Sequence, residues 1–507
     1  MPGEPENQSA SAIPDNLTGK AATGAGWSAA AVVARQLLSF GAVAILAREL
    51  GPSAYGLMGM ASTVIVFLVN FRDLGTAAAI IQRQVISEEL LSTLFWTNAG
   101  LGLLLSILTV LGATPAAAFF HEPQLAPILR VLSISFVLTC SGIVQNALLS
   151  RQMKFKLTSV ADFVSAVVGY AVALPLAIYG HGVWSLVFAN LASTLTVTLM
   201  YWIFSGWRPR MQFSIPELRE VAGFSLNLSG FGLVNYFSRN ADNVIVGRIL
   251  GVEPLGYYQM AYTLMMYPLQ NITGILTQVT LPGFARIQDD NRRFADAYMR
   301  SCSLIALATF PVVAGLGVVV KPLALAFLGP KWIPVIPIFQ ILAPVGMFQS
   351  IQSTVGSIYV AKGRTDWMFW WGIASTAVFV AAFLAGSRYG VTGVAGAYAI
   401  VYFGTLYPAL WIPFRFIDLN VWDFARRLWP QFLTTGIMVA VCIGWLRLLD
   451  SMGGTRAWLQ LASTVLLGAV VYVSLILRFR PPVLKDLDEV LDRSNSALAG
   501  TVRRLVS

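Results

Sequence analysis

The chain has 507 residues, 56% of them hydrophobic and only 11% charged, with a mean hydropathy of +0.69 and a formal net charge of +10. Soluble domains carry about 25% charged residues, so a soluble protein is excluded. The positive charge lacks a basic face with interleaved aromatics, which excludes nucleic acid as its partner.

Residues 1–25 are rich in Pro, Gly, Ser and Ala with scattered acids, and read as a disordered cytoplasmic tail without a signal peptide. Beyond them the chain is a succession of apolar runs of roughly 20 residues, each able to cross a hydrocarbon core about 30 Å thick as a helix. The alternation of a transmembrane barrel is missing. The expectation is an all-α polytopic membrane protein of about fourteen transmembrane helices. The spans fall near 27–47, 54–71, 90–112, 125–149, 157–179, 182–204, 219–249, 255–281, 297–320, 333–360, 366–387, 391–414, 424–448 and 457–478. Turn chemistry at Gly51-Pro52, Gly180-His181-Gly182, Gly329-Pro330 and Tyr389-Gly390 separates several of them. With the N-terminus placed in the cytoplasm, sixteen Lys and Arg fall in the inner connections and seven in the outer ones. That asymmetry predicts both termini inside.

Residues 48–63 (RELGPSAYGLMGMAST) and 248–263 (RILGVEPLGYYQMAYT) match at seven of 16 positions, among them Gly51/Gly251, Gly56/Gly256, Met60/Met260 and Ala61/Ala261. Chance would supply roughly one identity, so the fixed offset marks an internal repeat. It pairs the first span with the seventh and the second with the eighth, which makes the repeating unit six spans long. An even number returns the chain to the same side, so the units are parallel and predict two six-helix lobes around a cavity. The expected division is an N-lobe at 26–205, a C-lobe at 206–415, two extra C-terminal helices at 416–480 packed outside, and a cytoplasmic tail at 481–507 with a weak amphipathic pattern.

Charged residues inside the spans are few, and each should face protein or a wet cavity, since an arginine at a helix centre costs about 2.5–3.5 kcal/mol on insertion scales. Arg35 and Arg239 lie in equivalent helices of the two lobes. Arg35 shares a face with Ser28 and Ser39, and Arg239 with Asn235 and Asp242. Two facing cationic stripes would hold an anion, and guanidinium suits phosphate. The plainer alternative is that Arg239 and Asp242, at i and i+3, neutralise one another. Asn70 in span two and Gln270 in span eight are repeat-related and could line a polar cavity wall, or simply bond between helices. Asp162 and Asp242 are the intramembrane acids and hence the candidates for coupling to a proton or sodium gradient. Arg130 lies nearer a span end and could snorkel to the surface. Prolines within spans, including Pro175, Pro268, Pro311, Pro344 and Pro408, free backbone carbonyls and offer bending points.

Cys140, Cys302 and Cys442 lie far apart in apolar stretches and suggest neither a disulfide framework nor a metal site. There is no GxxxxGK[ST] loop, and His121 and His181 have no companions for catalysis or metal binding. The outer connections are short, which argues against a membrane enzyme that polymerises or ligates a glycan.

The opening GWSAAAVVARQLLSFGAVAILARELGPSAYGL, the segment FRDLG followed by AAIIQR, DNVIVGRILG and LPGFARIQDD together resemble the polysaccharide-transporter family. The resemblance is narrower to its Wzx-type, colanic-acid-exporter-like branch within the multidrug/oligosaccharidyl-lipid/polysaccharide flippase superfamily, and covers residues 25–480. It implies a flippase, not an enzyme, that moves undecaprenyl-diphosphate-linked oligosaccharide repeat units across the bacterial inner membrane by alternating access between two lobes. It further implies membrane lipids and the polymerase and chain-length or export proteins of the same pathway as partners, and no cofactor. Arg35 and Arg239 then become the candidates for the diphosphate or an acidic sugar. The rival within the superfamily is an antiporter of organic cations, which would favour an acidic, aromatic-lined cavity.

Overall fold

Within a bilayer every backbone N–H and C=O must be satisfied inside the protein, and an apolar segment meets that demand by coiling into a helix. The computed structural model describes residues 15–72, 75–83, 85–217, 236, 239–452 and 456–479, and for 15–38 and 272–286 it describes the backbone alone. Among the described residues there is no strand. In chain order the helices are α1 (Asp15–Val69), α2 (Thr76–Gln82), α3 (Glu88–Phe120), α4 (Leu125–Leu132), α5 (Ile134–Arg151), α6 (Phe155–Ile178) and α7 (Val183–Ser205). The second half holds α8 (239–250), α9 (Val252–Arg286), α10 (Asn291–Leu323), α11 (Val335–Gln352), α12 (Val355–Ala361), α13 (Thr365–Gly386), α14 (Gly390–Phe414), α15 (Val421–Ser451) and α16 (Ala457–Phe479).

Ten helices among the described residues are long and apolar enough to cross a membrane. One of them, Thr365–Ile417, runs through two of the expected spans, and the kinked α1 carries the first two. Most of the expected seventh span lies outside the described residues, so the number fourteen rests on the sequence. The helix α1 starts inside the stretch read as a tail.

Sharp corners in this bundle are built on glycine. At Gly51 (φ 74°, ψ 178°) α1 breaks, and Pro52 opens the next segment. Glycine is the residue at home at positive φ, and proline suits a helix's first turn. The device recurs twice. A π-turn at Val246–Leu250 ends α8 before Gly251 (φ 93°), and a π-turn at Ala324–Leu328 follows α10 before Gly329 (φ 92°) and Pro330.

The two repeats found in the sequence meet face to face. A Cβ on Gly56 would stand 1.8 Å from the carbonyl oxygen of Val252, and one on Gly256 would stand 2.0 Å from that of Pro52. Positions 52 and 252, like 56 and 256, are repeat partners, so the contact is reciprocal, as a two-fold axis requires. One turn on, a Cβ at Gly59 would meet the side chain of Gln259 at 2.8 Å. Met60, Ala61, Met260 and Ala261 are each at most 3% exposed in the same core. Small residues here let two helix backbones touch, which is how membrane helices gain packing without a hydrophobic drive between them. Trp332 closes this end of the seam. Its indole N–H donates to the carbonyl of Ala47 at 2.8 Å, and Tyr55 and Tyr257 meet its ring edge-on at 5.3 and 6.2 Å.

Connections of the two charge classes sit at opposite ends of the helices. Near the glycine corners Arg48 packs along Gly329, Lys331 along Gly51, Arg248 meets His121, and Lys321 lies 3.8 Å from Asp450. At the other end Arg151 donates to the carbonyls of Ile80 (2.9 Å) and Arg83 (2.5 Å), Arg83 pairs with Glu217 at 3.5 Å, and Lys362 reaches Gln288 and Asn291. The helices α15 and α16 pack on α10, where the hydroxyl of Tyr472 donates to the carbonyl of Leu307 at 2.8 Å.

Candidate functional site

A cavity of about 180 Å³ in the second half is lined by Arg239 and Asp242 of α8, Tyr262 of α9, Gln349 and Gln352 of α11, Trp371 and Ser375 of α13, and Tyr398 and Tyr402 of α14. Arg239 and Asp242 project together because they are three residues apart on one helix. The Asp242 carboxylate is buried, with one oxygen accepting from the Tyr258 hydroxyl at 2.9 Å and the other from the backbone N–H of Asn243 at 2.8 Å. Tyr258 stacks on Tyr262, ring centroids 6.3 Å apart, so the acid is anchored by a packed aromatic pair. Arg239 is exposed and lines the cavity. Two polar atoms of the wall, Gln349 Oε1 and the Tyr402 hydroxyl, are buried without a hydrogen-bond partner among the described residues. Buried polar atoms of that kind are costly unless something binds them; with Arg239, the Tyr402 hydroxyl can donate to an anionic oxygen, while Gln349 Oε1 can only accept from a hydroxyl or N–H.

Beside this polar cavity runs an apolar groove of about 380 Å³ between α10, α11, α14 and α15, floored by Phe310, Phe348, Phe403, Leu428, Trp429 and Phe432. Phe348 meets Phe403 edge-on at 5.6 Å, and Trp429 stacks on Phe432 at 5.9 Å. A further cavity of about 500 Å³ shares Phe348, Phe403 and Phe432 with it. Gln352 lines both the groove and the Arg239 cavity. The arrangement thus places a polar chamber and an apolar groove side by side, which matches an amphiphile with a charged head.

The sequence candidates divide as follows. Arg239 and Asp242 share the cavity, as their spacing predicts. Arg35 lies on α1 but its side chain is outside the described residues, and Asn235 is outside them altogether. Asn70 turns its amide back onto the carbonyls of Val66 (2.9 Å) and Phe67 (3.3 Å) of its own helix. Gln270 is exposed on α9. Neither lines the Arg239 cavity. Asp162 on α6 accepts from the Tyr201 hydroxyl at 3.1 Å and is not among the residues that line the Arg239 cavity. Arg130 is exposed and donates to the Thr114 hydroxyl at 3.0 Å. Sequence reasoning missed Gln349, Gln352 and the α14 tyrosines. The available signal was polar spacing in an apolar helix, i and i+3 for the glutamines and i and i+4 for Tyr398 and Tyr402. Among the described residues no group of three or more His, Cys, Asp or Glu could hold a metal ion.

A family model described as "Polysaccharide biosynthesis protein" matches residues 45–337. The chain is 28% identical over 418 residues to the "Lipopolysaccharide biosynthesis protein WzxC" of Escherichia coli (strain K12), covering 80% of this chain and 85% of that protein. It is 28% identical over 468 residues to the "Succinoglycan biosynthesis transport protein ExoT" of Rhizobium meliloti (strain 1021), covering 91% and 94%. Among solved structures the fold matches "Lipid II flippase MurJ, inward closed conformation" with a TM-score of 0.71 at 16% identity, over 89% of this chain and 98% of that one.

Proposed function

The chain belongs to the polysaccharide biosynthesis protein family, and from that premise we propose that it is a multi-pass membrane flippase for lipid-linked oligosaccharide. Its cargo is an undecaprenyl-diphosphate-linked repeat unit, moved across the bacterial inner membrane for exopolysaccharide or lipopolysaccharide assembly. The observation that carries this reading is Gln352, which lines both the Arg239 cavity and the aromatic groove. A diphosphate beside Arg239 would leave its isoprenoid chain at the mouth of an apolar trough. A phosphate head crossing hydrocarbon needs such a partner, and a planar guanidinium binds it with two parallel hydrogen bonds.

The division into lobes at 26–205 and 206–415, with α15 and α16 added outside, belongs to the same proposal, as do cytoplasmic termini. Rocking of the halves about the Gly56/Gly256 seam would expose the cavity to one face and then the other. Asp242, which Tyr258 and Asn243 hold within the cavity, is the first candidate to couple transport to a proton or sodium gradient, and Asp162 is the second. The aromatic lining around Asp242 favours a second reading, export of organic cations. Arg239 in the same cavity opposes it, because a cation would face a guanidinium.

The test uses a strain depleted of the protein with the first glycosyltransferase of the pathway left active. Complete lipid-linked units accumulating on the cytoplasmic face are the expected result. Completed units already on the outer face would overturn flipping in favour of polymerisation or ligation. Unchanged lipids with altered sensitivity to cationic drugs would establish the antiporter.

A further inference from the structure

The first half holds a cavity of its own, about 400 Å³, between α1, α6 and α7. The six-span offset makes α6 and α7 the counterparts of α13 and α14, so this cavity stands where the Arg239 cavity stands in the second half. The chemistry of the two differs. Among the described residues, none of those lining the first cavity is Lys, Arg, Asp or Glu. Its polar lining is hydroxyl and carboxamide: Tyr55, Ser62, Tyr170, Asn190, Ser193 and Gln259.

Several of these groups are fixed before any ligand arrives. The Tyr170 hydroxyl lies 2.7 Å from that of Ser39, and the Tyr55 ring is held against Trp332. Gly169 brings α7 close, since a Cβ there would come within 3.3 Å of the Ala189 carbonyl and of Ser193. Fixed hydroxyls, amides and aromatic rings suit a ligand that is dense in hydroxyls and apolar on its ring faces, which is a sugar. Amide and hydroxyl groups both donate and accept, as sugar hydroxyls do. Gln259 comes from the other half and packs on Gly59 in the seam, so an occupant of this cavity touches the surface on which the halves move.

We propose that this cavity is a glycan subsite, reading the sugars of the cargo through Ser62, Tyr170, Asn190, Ser193 and Gln259 and setting which repeat unit is moved. The assignment rests on the flippase reading above and divides the labour, with the diphosphate in the Arg239 cavity of one half and the glycan in the hydroxyl- and amide-lined cavity of the other. Sites built to hydrogen-bond a substrate hydroxyl discriminate strongly against analogues that lack it.

The test uses inner-membrane vesicles from strains blocked at successive glycosyltransferases, so that the native lipid-diphosphate carries one sugar, a partial unit or the full unit. Exposure of each at the far face is followed with a membrane-impermeant oxidant. Wild type is expected to move the full unit faster than the single-sugar lipid. Asn190→Ala, Ser193→Ala and Tyr170→Phe should each slow the full unit by roughly two- to tenfold per hydrogen bond lost, while leaving the single-sugar rate unchanged. Equal slowing of both lipids would assign these residues to the fold and overturn the subsite. An unchanged preference for the full unit in the double variant Asn190→Ala/Ser193→Ala would overturn it as well. A wild-type protein that moves none of these lipids would remove the flippase reading and this assignment with it.

Discussion

Arg239 and Asp242 occupy one cavity, and the two have separable tasks. The Asp242 carboxylate is buried and accepts hydrogen bonds from Tyr258 and the Asn243 N–H, while Arg239 lines the same cavity and is exposed. Charge-assisted hydrogen bonds contribute about 1.5–3 kcal/mol each, so Arg239→Ala should lower the flipping rate by roughly 10- to 100-fold. Arg239→Lys should fall between, because an ammonium keeps the charge and loses the fork that matches phosphate. The distribution of lipid-linked units between the two faces measures both, and full rescue by Arg239→Ala would remove the binding site. Asp242→Asn keeps the shape and removes the charge, and should leave binding of cargo while abolishing the response to an imposed ion gradient. Retention of that response would pass the coupling role to Asp162. The two charges were legible in the sequence because ionised groups are rare in apolar helices. Gln349, Gln352 and Tyr402 were not, since an isolated amide or phenol in such a helix looks the same whether it bonds a neighbour or faces a cavity.

At the scale of elements the decisive contact is the crossing of α1 and α9. Its legibility has a physical cause at Gly56 and Gly256, which match between the repeats and each lie against the backbone of the other helix. Gly56 needs the space beside Val252 and Gly256 that beside Pro52, so neither position tolerates a side chain while both keep the same partner. Away from the axis the halves face different neighbours, and their sequences are free to diverge, which is why the two cavities could not be paired by eye. Overpacking a tight interior costs about 1–3 kcal/mol. Gly56→Ala and Gly256→Ala should therefore have similar effects, each lowering thermal stability in detergent and complementation of glycan export together. Gly356→Ala, at a glycine with open space around it, is the control and should change neither. Wild-type behaviour of both seam variants would show that the crossing is looser than its geometry.

For the whole molecule, the question is whether the seam opens during transport. The fold brings the ends of α3 and α8 together beside the seam, where the Arg248 guanidinium contacts the His121 ring and lies 5.2 Å from the centre of the Phe119 ring. Arg48 and Gly329 make the matching approach between α1 and the turn that follows α10. These two contacts join the halves on either side of the glycine crossing, so they must part if the halves rock about it. Cysteines placed at His121 and Arg248 test this directly, since the native Cys140, Cys302 and Cys442 are all buried and shielded from reagent. A short bis-maleimide bridging the pair should stop transport. The same protein labelled with a monofunctional maleimide should keep working, because each half then moves freely. Arrest by the bridge alone assigns the His121/Arg248 end to the moving gate. Transport at the unbridged rate after complete cross-linking would show that the halves stay joined at this end, and the cargo would then have to pass by a route that leaves the glycine crossing closed.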